Sequence, residues 1–453
     1  MMKRKAMAIT LTAAMLAGLT AVPTWAEDAA ADEGKVLNIY CWNEEFKSRL
    51  TDHYPGYEEV DATTGKIGDV TVKWNITPSD DNAYQNNLDA TLLKQESAAA
   101  DDKIDLFLVE ADYALKYVDT DYTMPIADLG ITDADLANQY QYTKDIVTDS
   151  NGVLKGVSWQ GCPGVLFYNR EAAKEVLGSD DPADVQEYVK DWDTFNDTAA
   201  KMQAKGYKMI SSVNDTYRVY SNNVSSKWVV DGKINIDDNI MKWVDQTKKY
   251  TDKGYNNKSS LWDSTWAADQ GPSGKVFGFF YSTWGINFTL LGNSLATPVK
   301  EGGKEEVGNG IYGDYAVCEG PQSYYWGGTW ICAAAGTDNA NIVKDVMKTL
   351  CCDKATMKKI TEDTQDYTNT ASGMNEIASS NFKSDFLGGQ NHIKLFAKSA
   401  PKISMKNISS YDQGLNEEFQ KAMKDYFDGH VTKEQALDNF YEKAHVKYPN
   451  LSK

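Results

Sequence analysis

Val36-Leu-Asn-Ile-Tyr-Cys-Trp42 is the stretch on which the fold turns. It is β-rich and mostly apolar, as a strand buried on both faces of a sheet must be. Val70-Thr-Val-Lys-Trp-Asn-Ile76 and Ile104-Asp-Leu-Phe-Leu-Val109 read as further strands. Helical patterns lie between them: Phe46 and Leu50 recur at i, i+4, and Tyr84, Leu88 and Leu92 share one face. Strand–helix–strand units of this kind predict an α/β sheet. In such sheets ligands collect beyond the carboxyl ends of the strands. Those ends carry Trp42-Asn43-Glu44, Thr77-Pro78-Ser79-Asp80 and Glu110-Ala111-Asp112-Tyr113.

Further along, Gly152-Val-Leu-Lys-Gly-Val-Ser-Trp-Gln160 and Gly164-Val-Leu-Phe-Tyr-Asn-Arg170 are extended runs flanked by glycine, suited to a crossing between domains. Asp191 is the predicted N-cap of a helix that buries Trp192, Phe195, Ala199 and Met202, with Gly206 just past its end. Val276 to Trp284 and Tyr324 to Cys332 each read as a strand joined to an aromatic turn. The last third is helical. Ile342, Val343, Val346, Met347 and Leu350 form one face, and Thr432-x-x-Gln435 is a capping box before Leu437, Phe440, Tyr441 and Ala444.

The chain has 453 residues, 42% of them hydrophobic, which is enough for two compact domains. Its 46 basic against 65 acidic residues give −19, and such a surface repels phosphate backbones, so nucleic acid is not an expected partner. The four histidines form no HExxH motif, which argues against a histidine metal site; a carboxylate-only Ca²⁺ site stays open. No cofactor is expected. Residues 1–26 read as a signal peptide: basic Lys3, Arg4 and Lys5, an apolar run from Ala6 to Val22, then Pro23-Thr24-Trp25-Ala26. An uncleaved anchor is the alternative. Residues 27–35 form an acidic, flexible N-terminus. Of the six cysteines the first is Cys41, so no cysteine lies near the cleavage point for lipid attachment, and Cys318 with Cys332 is the pair to test for a disulfide.

Gly308-Asn-Gly310-Ile-Tyr-Gly313 matches GxGxxG but leads into a strand-like run, so it reads as a turn and not a phosphate cradle. Gly271-Pro-Ser-Gly-Lys275 fits neither Walker A nor the serine elbow. Glu44, Glu110 and Asp112 are candidates for either of two roles: hydrogen-bond acceptors for hydroxyl groups, or paired carboxylates of a glycoside hydrolase. The tryptophans favour a sugar in either case. Trp42, Trp159, Trp284, Trp326 and Trp330 sit beside small polar residues near strand ends, unlike Trp192 and Trp243. A flat ring with polar neighbours suits a pyranose, whose C–H face stacks while its hydroxyls take hydrogen bonds.

Taken together, the chain resembles the extracellular solute-binding proteins of bacterial carbohydrate ABC importers, the maltose-binding-protein-like family 1. The likeness rests on Trp42-Asn43, Asp105-Leu-Phe-Leu-Val-Glu110 with Tyr117 and Pro125-Ile-Ala-Asp-Leu129, and Lys155-Gly-Val-Ser-Trp159 followed by Leu166-Phe-Tyr-Asn-Arg170. Trp192-Asp-Thr-Phe195, Gly274-Lys275 through Trp284, Gly327-Gly328 and Gly429-x-x-Thr-x-Glu-x-Ala-Leu437 extend it over residues 36–450. The resemblance implies a type II periplasmic-binding-protein fold: two α/β lobes around a central cleft, joined by hinge strands. It places 36–157 plus 319–365 in lobe 1 and 158–318 plus 366–453 in lobe 2. It implies a noncatalytic, monomeric, exported binder that takes a mono- or oligosaccharide and delivers it to transmembrane permease subunits. By position it marks Trp42, Asn43, Glu44, Glu110, Asp112, Trp284 and Gly328 as ligand contacts, and by neighbourhood Trp159, Tyr168, Tyr281, Trp330, Asp366 and Tyr411. Many relatives carry a lipobox cysteine that this chain lacks. A secreted glycoside hydrolase and a binder of a nonsugar solute such as a polyamine are the alternative functions.

Overall fold

The computed structural model describes residues 34–453; the signal-peptide reading and most of the acidic N-terminus lie outside them. The strands are β1 (Val36–Cys41), β2 (Tyr57–Glu59), β3 (Thr64–Ile67), β4 (Val70–Ile76), β5 (Leu106–Glu110), β6 (Pro163–Asn169), β7 (Val229–Val230), β8 (Lys233–Ile234), β9 (Gly278–Ser282), β10 (Tyr315–Cys318), β11 (Tyr324–Tyr325) and β12 (Thr329–Ala333). The described residues divide into two compact units, 34–160 with Gly328–Ile360 and Gly161–Gly327 with Thr361–Lys453.

In the first unit one sheet runs β12-β5-β1-β4-β3-β2, with β1 parallel to both β4 and β5. Parallel neighbours require crossovers, and the helices Glu45–His53 and Ala83–Leu92 supply chain between these strands. Leu37, Ile39, Leu106 and Leu108 are buried against Phe46, Leu50, Val343 and Met347. Each such side chain contributes about 1.5–3 kcal/mol on leaving water. Asp105 is buried at the start of β5 and accepts hydrogen bonds from the Asn38 amide (2.7 Å), the Thr337 hydroxyl (2.6 Å) and the Asn339 side-chain amide (3.1 Å). Burial still pushes its carboxyl up to about 6.

The second unit has a different sheet, in which β6 is central and pairs antiparallel with β9, β10 and β11. The expected parallel strand–helix–strand plan therefore holds for the first unit only. A helical layer forms a second core, where Trp243 meets Phe419 and Phe427 from helix Asp412–Phe427 and Trp228 meets Phe440 from helix Lys433–Lys447. The Asp191 N-cap and the Thr432 capping box form as the sequence predicts, and Asp191 completes a capping box with Thr194. Gly308, Gly310 and Gly313 all take positive φ and lead into β10, consistent with a turn.

Three expectations change. Tyr324 to Cys332 is not one strand: β11 pairs with β6 and β12 with β5, and Gly327 (φ +71°) and Gly328 (φ +102°) turn the chain between two sheets. The segment 319–327, expected in lobe 1, accordingly falls in the second unit, as do residues 361–365, while Ser158, Trp159 and Gln160 fall in the first. Cys318 lies in β10 and Cys332 in β12, in different sheets of different units, and both are free thiols. Burial raises the Cys318 thiol to about 12, which keeps it protonated and unreactive.

Candidate functional site

In the first unit the parallel register brings the ends of β1, β4 and β5 to one edge. There the half-exposed Trp42 ring packs edge-on against Tyr84 (5.5 Å) and Tyr113 (6.4 Å). Tyr84 fixes this corner from below, its hydroxyl lying 2.6 Å from the Leu108 carbonyl and 3.0 Å from that of Tyr40. Asn43 accepts the Glu45 amide (3.0 Å) and so starts helix Glu45–His53. Glu44 is exposed, and its carboxylate makes no hydrogen bond or ion pair among the described residues. Glu110 accepts the amide of Asp112 at 2.7 Å, which folds the Glu110–Tyr113 loop back on itself and leaves Asp112 half-exposed, next in sequence to the Tyr113 that meets Trp42.

Gly328 stands at the head of β12. Next to it the Thr329 amide donates to Gln160 (2.9 Å), and the Gln160 amide group donates to Glu45 (3.0 Å). Trp159 and Trp330, expected to touch ligand, are core residues. Trp159 is fully buried and stacked on Phe46 (5.6 Å), and Trp330 is fully buried with its indole N–H on the Thr143 carbonyl (2.8 Å).

In the second unit the structure gathers an aromatic shelf. Trp284, just past β9, donates its indole N–H to the Trp326 carbonyl (2.8 Å). Trp262 runs nearly parallel to it (6.2 Å, 25°), and Phe288 (6.0 Å) and Trp326 (5.1 Å) meet it edge-on. Trp262 and Phe288 are 54% and 62% exposed, values that core aromatics do not show. Trp262 holds φ +73°, costly for a residue with a Cβ, and Phe288 rides on a single π-helical turn, Ile286–Leu290; both are features that cluster at functional sites.

Beneath the shelf, Tyr281 stacks on Trp326 (5.4 Å, 14°), its hydroxyl taking hydrogen bonds from Gln270 (3.0 Å) and Thr289 (2.8 Å). Trp266 packs edge-on to Trp262 (5.0 Å) and donates to the buried Asp215 (2.9 Å), whose carboxyl burial pushes up to about 6. Tyr281 and Asp366, expected to contact ligand, are both buried. Asp366 is buried and bonded to the Thr283 hydroxyl and the Tyr367 amide, which fixes the residue before Trp284.

Tyr168 and Tyr411 belong elsewhere. Tyr168 is buried, stacked on Phe277 and bonded to the Asp180 carbonyl (2.7 Å). Tyr411 packs on the helical core against Tyr448 (5.1 Å). Trp262 and Phe288 were missed. Trp262 follows Lys258-Ser-Ser-Leu and precedes Asp-Ser, the same signal of a tryptophan among small polar residues that singled out Trp284. No His, Cys, Asp or Glu group among the described residues is placed to hold a metal ion.

The sequence model of the bacterial extracellular solute-binding proteins matches residues 59–386, most of the chain. The chain belongs to that family. The solute-binding protein is also similar to solved structures. One is an extracellular solute-binding protein of family 1: 14% identity over 91% of this chain and 99% of that one, TM-score 0.72. A second is the galacto-N-biose/lacto-N-biose I-binding protein of the ABC transporter from Bifidobacterium longum, in complex with lacto-N-biose: 13% identity over 93% and 100%, TM-score 0.66. A third is the ABC transporter associated binding protein from B. animalis subsp. lactis Bl-04, in complex with beta-1,6-galactobiose: 15% identity over 92% and 97%, TM-score 0.65. At these identities the likeness is one of fold, and the fold is the type II periplasmic-binding-protein fold. A search of the curated proteins found no match. No helix among the described residues is long and apolar enough to cross a membrane.

Proposed function

We propose that this solute-binding protein is the exported, noncatalytic, monomeric substrate-binding component of a bacterial ABC importer, that its solute is a carbohydrate, and that it delivers this solute to membrane permease subunits. The observation that carries the reading is the shelf of the exposed Trp262 and Phe288 around the half-buried Trp284. Indole faces match the C–H face of a pyranose and exclude water from it. The neighbours solved with lacto-N-biose and with beta-1,6-galactobiose support a sugar as the solute.

Capture by hinge closure follows if ligand contacts differ between open and shut forms, because a ligand shifts an equilibrium only by its differential affinity. No step of this function needs a bond made or broken. Thermal shift against a panel of mono- and oligosaccharides tests it: a sugar at a hundred times its Kd adds about 2.7 kcal/mol to apparent stability. A flat response across the panel refutes a carbohydrate solute. Release of new reducing ends refutes the noncatalytic role, and binding of spermidine that collapses with added salt points to a cationic solute instead.

A further inference from the structure

Asp215 is buried in the second unit, and no lysine, arginine or histidine pairs with its carboxylate among the described residues. Three N–H groups hold it instead. Oδ2 accepts the Ser211 amide (2.9 Å) and the Ser212 amide (2.6 Å), and Oδ1 accepts the Trp266 indole (2.9 Å). A charge buried without a counter-ion is costly, and hydrogen bonds of this kind are what offset the cost.

Both oxygens lead to the exposed Trp262. On the Oδ2 side, Ser212 forms a parallel bridge with Ser259, three residues before Trp262. The Asn257 amide donates to the Ser211 carbonyl (2.8 Å), the Val213 amide to the Ser259 carbonyl (3.0 Å), and the Ser211 and Ser259 hydroxyls meet at 2.9 Å. On the Oδ1 side, the buried Trp266, on helix Ser264–Asp269, packs its ring edge-on against Trp262 (5.0 Å). Trp262 itself is held at φ +73°, and a strained backbone persists only where its surroundings over-determine it. Asp215 ties two of those surroundings together.

We propose that Asp215 is a positioning residue: its carboxylate sets the stance of Trp262 through Trp266 and the 257–259 segment, and protonation loosens both arms and lowers affinity for the solute. A carboxyl that takes up a proton loses acceptor capacity and gains an O–H that the three donors around it cannot accept. Desolvation drives the proton on, raising the carboxyl to about 6, and the hydrogen bonds are what the proton removes. The titratable groups facing Asp215 are Tyr281 of β9 and Tyr324 of β11; burial pushes both phenols well above 10, so they stay neutral across this range. Asp269, the other carboxylate on these turns, accepts the Ser211 hydroxyl (2.6 Å) and the Asn257 side-chain amide (2.7 Å). The inference rests on Trp262 as a solute contact and adds how that contact is held.

Two measurements test it. In protein labelled with 5-fluorotryptophan, the Trp262 and Trp266 fluorine resonances, assigned with Trp262→Phe and Trp266→Phe, should shift together between pH 7.5 and 5 with a midpoint near 6, and Asp215→Asn should abolish that titration. In calorimetry with a sugar that the thermal-shift panel selects, wild-type affinity should fall about three- to tenfold over the same range, about tenfold being the ceiling for one proton taken up near 6. Asp215→Asn should bind with the wild-type acid affinity at both ends. Trp262→Ala should lose the pH dependence too, which keeps the test decisive should Asp215→Asn fail to fold. Wild-type affinity that stays flat, or a pH dependence that survives Asp215→Asn or Trp262→Ala, overturns the positioning role and leaves the carbohydrate reading standing. Absence of binding by every sugar overturns the carbohydrate reading alone, and the fluorine titration then decides the role of Asp215: resonances that do not move, or that move equally in Asp215→Asn, refute it.

Discussion

The first unit displays directional polar groups at the ends of parallel strands, and the second displays apolar ring area assembled from separate loops. Glu44 and Asp112 stand at the ends of β1 and β5, each next to backbone fixed by the sheet ladder. Trp262, Trp284, Phe288 and Trp326 come from three different connections and are fixed by one another. A carboxylate edge discriminates hydroxyl positions by hydrogen bonding, and exposed rings contribute apolar contact area. The shelf should therefore be the sensitive half of the molecule and the strand edge the selective half.

The largest expected effect is at Trp284, whose ring touches Trp262, Phe288, Tyr281 and Trp326. Trp284→Ala should cost about 30- to 100-fold in sugar affinity by calorimetry, the scale of an interface hot spot. A change under about threefold would place the sugar elsewhere.

Trp262 comes next. Its exposed ring should be worth about tenfold in affinity, the low end of aromatic stacking. The backbone makes a second, opposite prediction: Trp262→Gly should raise thermal stability while weakening binding, because φ +73° is strained for tryptophan and free for glycine. A variant that loses both properties would show that Trp262 is structural.

Glu44→Gln and Asp112→Asn should each cost about three- to tenfold, with the loss falling unevenly on epimers that differ at one hydroxyl. A uniform loss across epimers would deny the strand edge its selective role.

The smallest effect separates the units by pH. Asp105 in the first unit has its folded carboxyl raised to about 6, above the ordinary carboxylate range. The stability it contributes is present below the unfolded value and is lost as pH rises through 6. In the second unit His392 is buried with Nε2–H donating to the Gln365 carbonyl (2.8 Å), and burial lowers it to about 4. Its contribution is present above the unfolded histidine value and is lost as pH falls through 4. Melting curves between pH 7 and 4 should show Asp105→Asn falling further behind wild type as pH drops, and His392→Gln catching up with it. Parallel shifts in both variants would contradict these assignments.

Much of the first unit was legible in advance. A fully buried parallel strand leaves a continuous apolar run, so β1 and β5 announced themselves, and their polar ends named Trp42, Asn43, Glu44, Glu110 and Asp112. Helix caps read equally well, because Asp191 and Thr432 act within four residues of themselves. Trp159 and Trp330 misled for a specific reason. Trp159 lies in a bend before β6 with its ring stacked on Phe46, and Trp330 lies in β12 with its indole N–H on the Thr143 carbonyl, whatever their sequence neighbours are. In a strand the neighbours at i±1 face the other way and report nothing about where a side chain goes.

The sequence by itself determined the parallel sheet, the helix boundaries and the residues at the strand ends, since hydrophobic period and capping are local properties written in consecutive residues. Only the tertiary structure decided which tryptophans are surface and which are core, that Tyr324 to Cys332 divides between two sheets, and that Trp262 joins Trp284 and Phe288. Those outcomes depend on contacts between residues tens of positions apart, and such contacts leave no period in the chain.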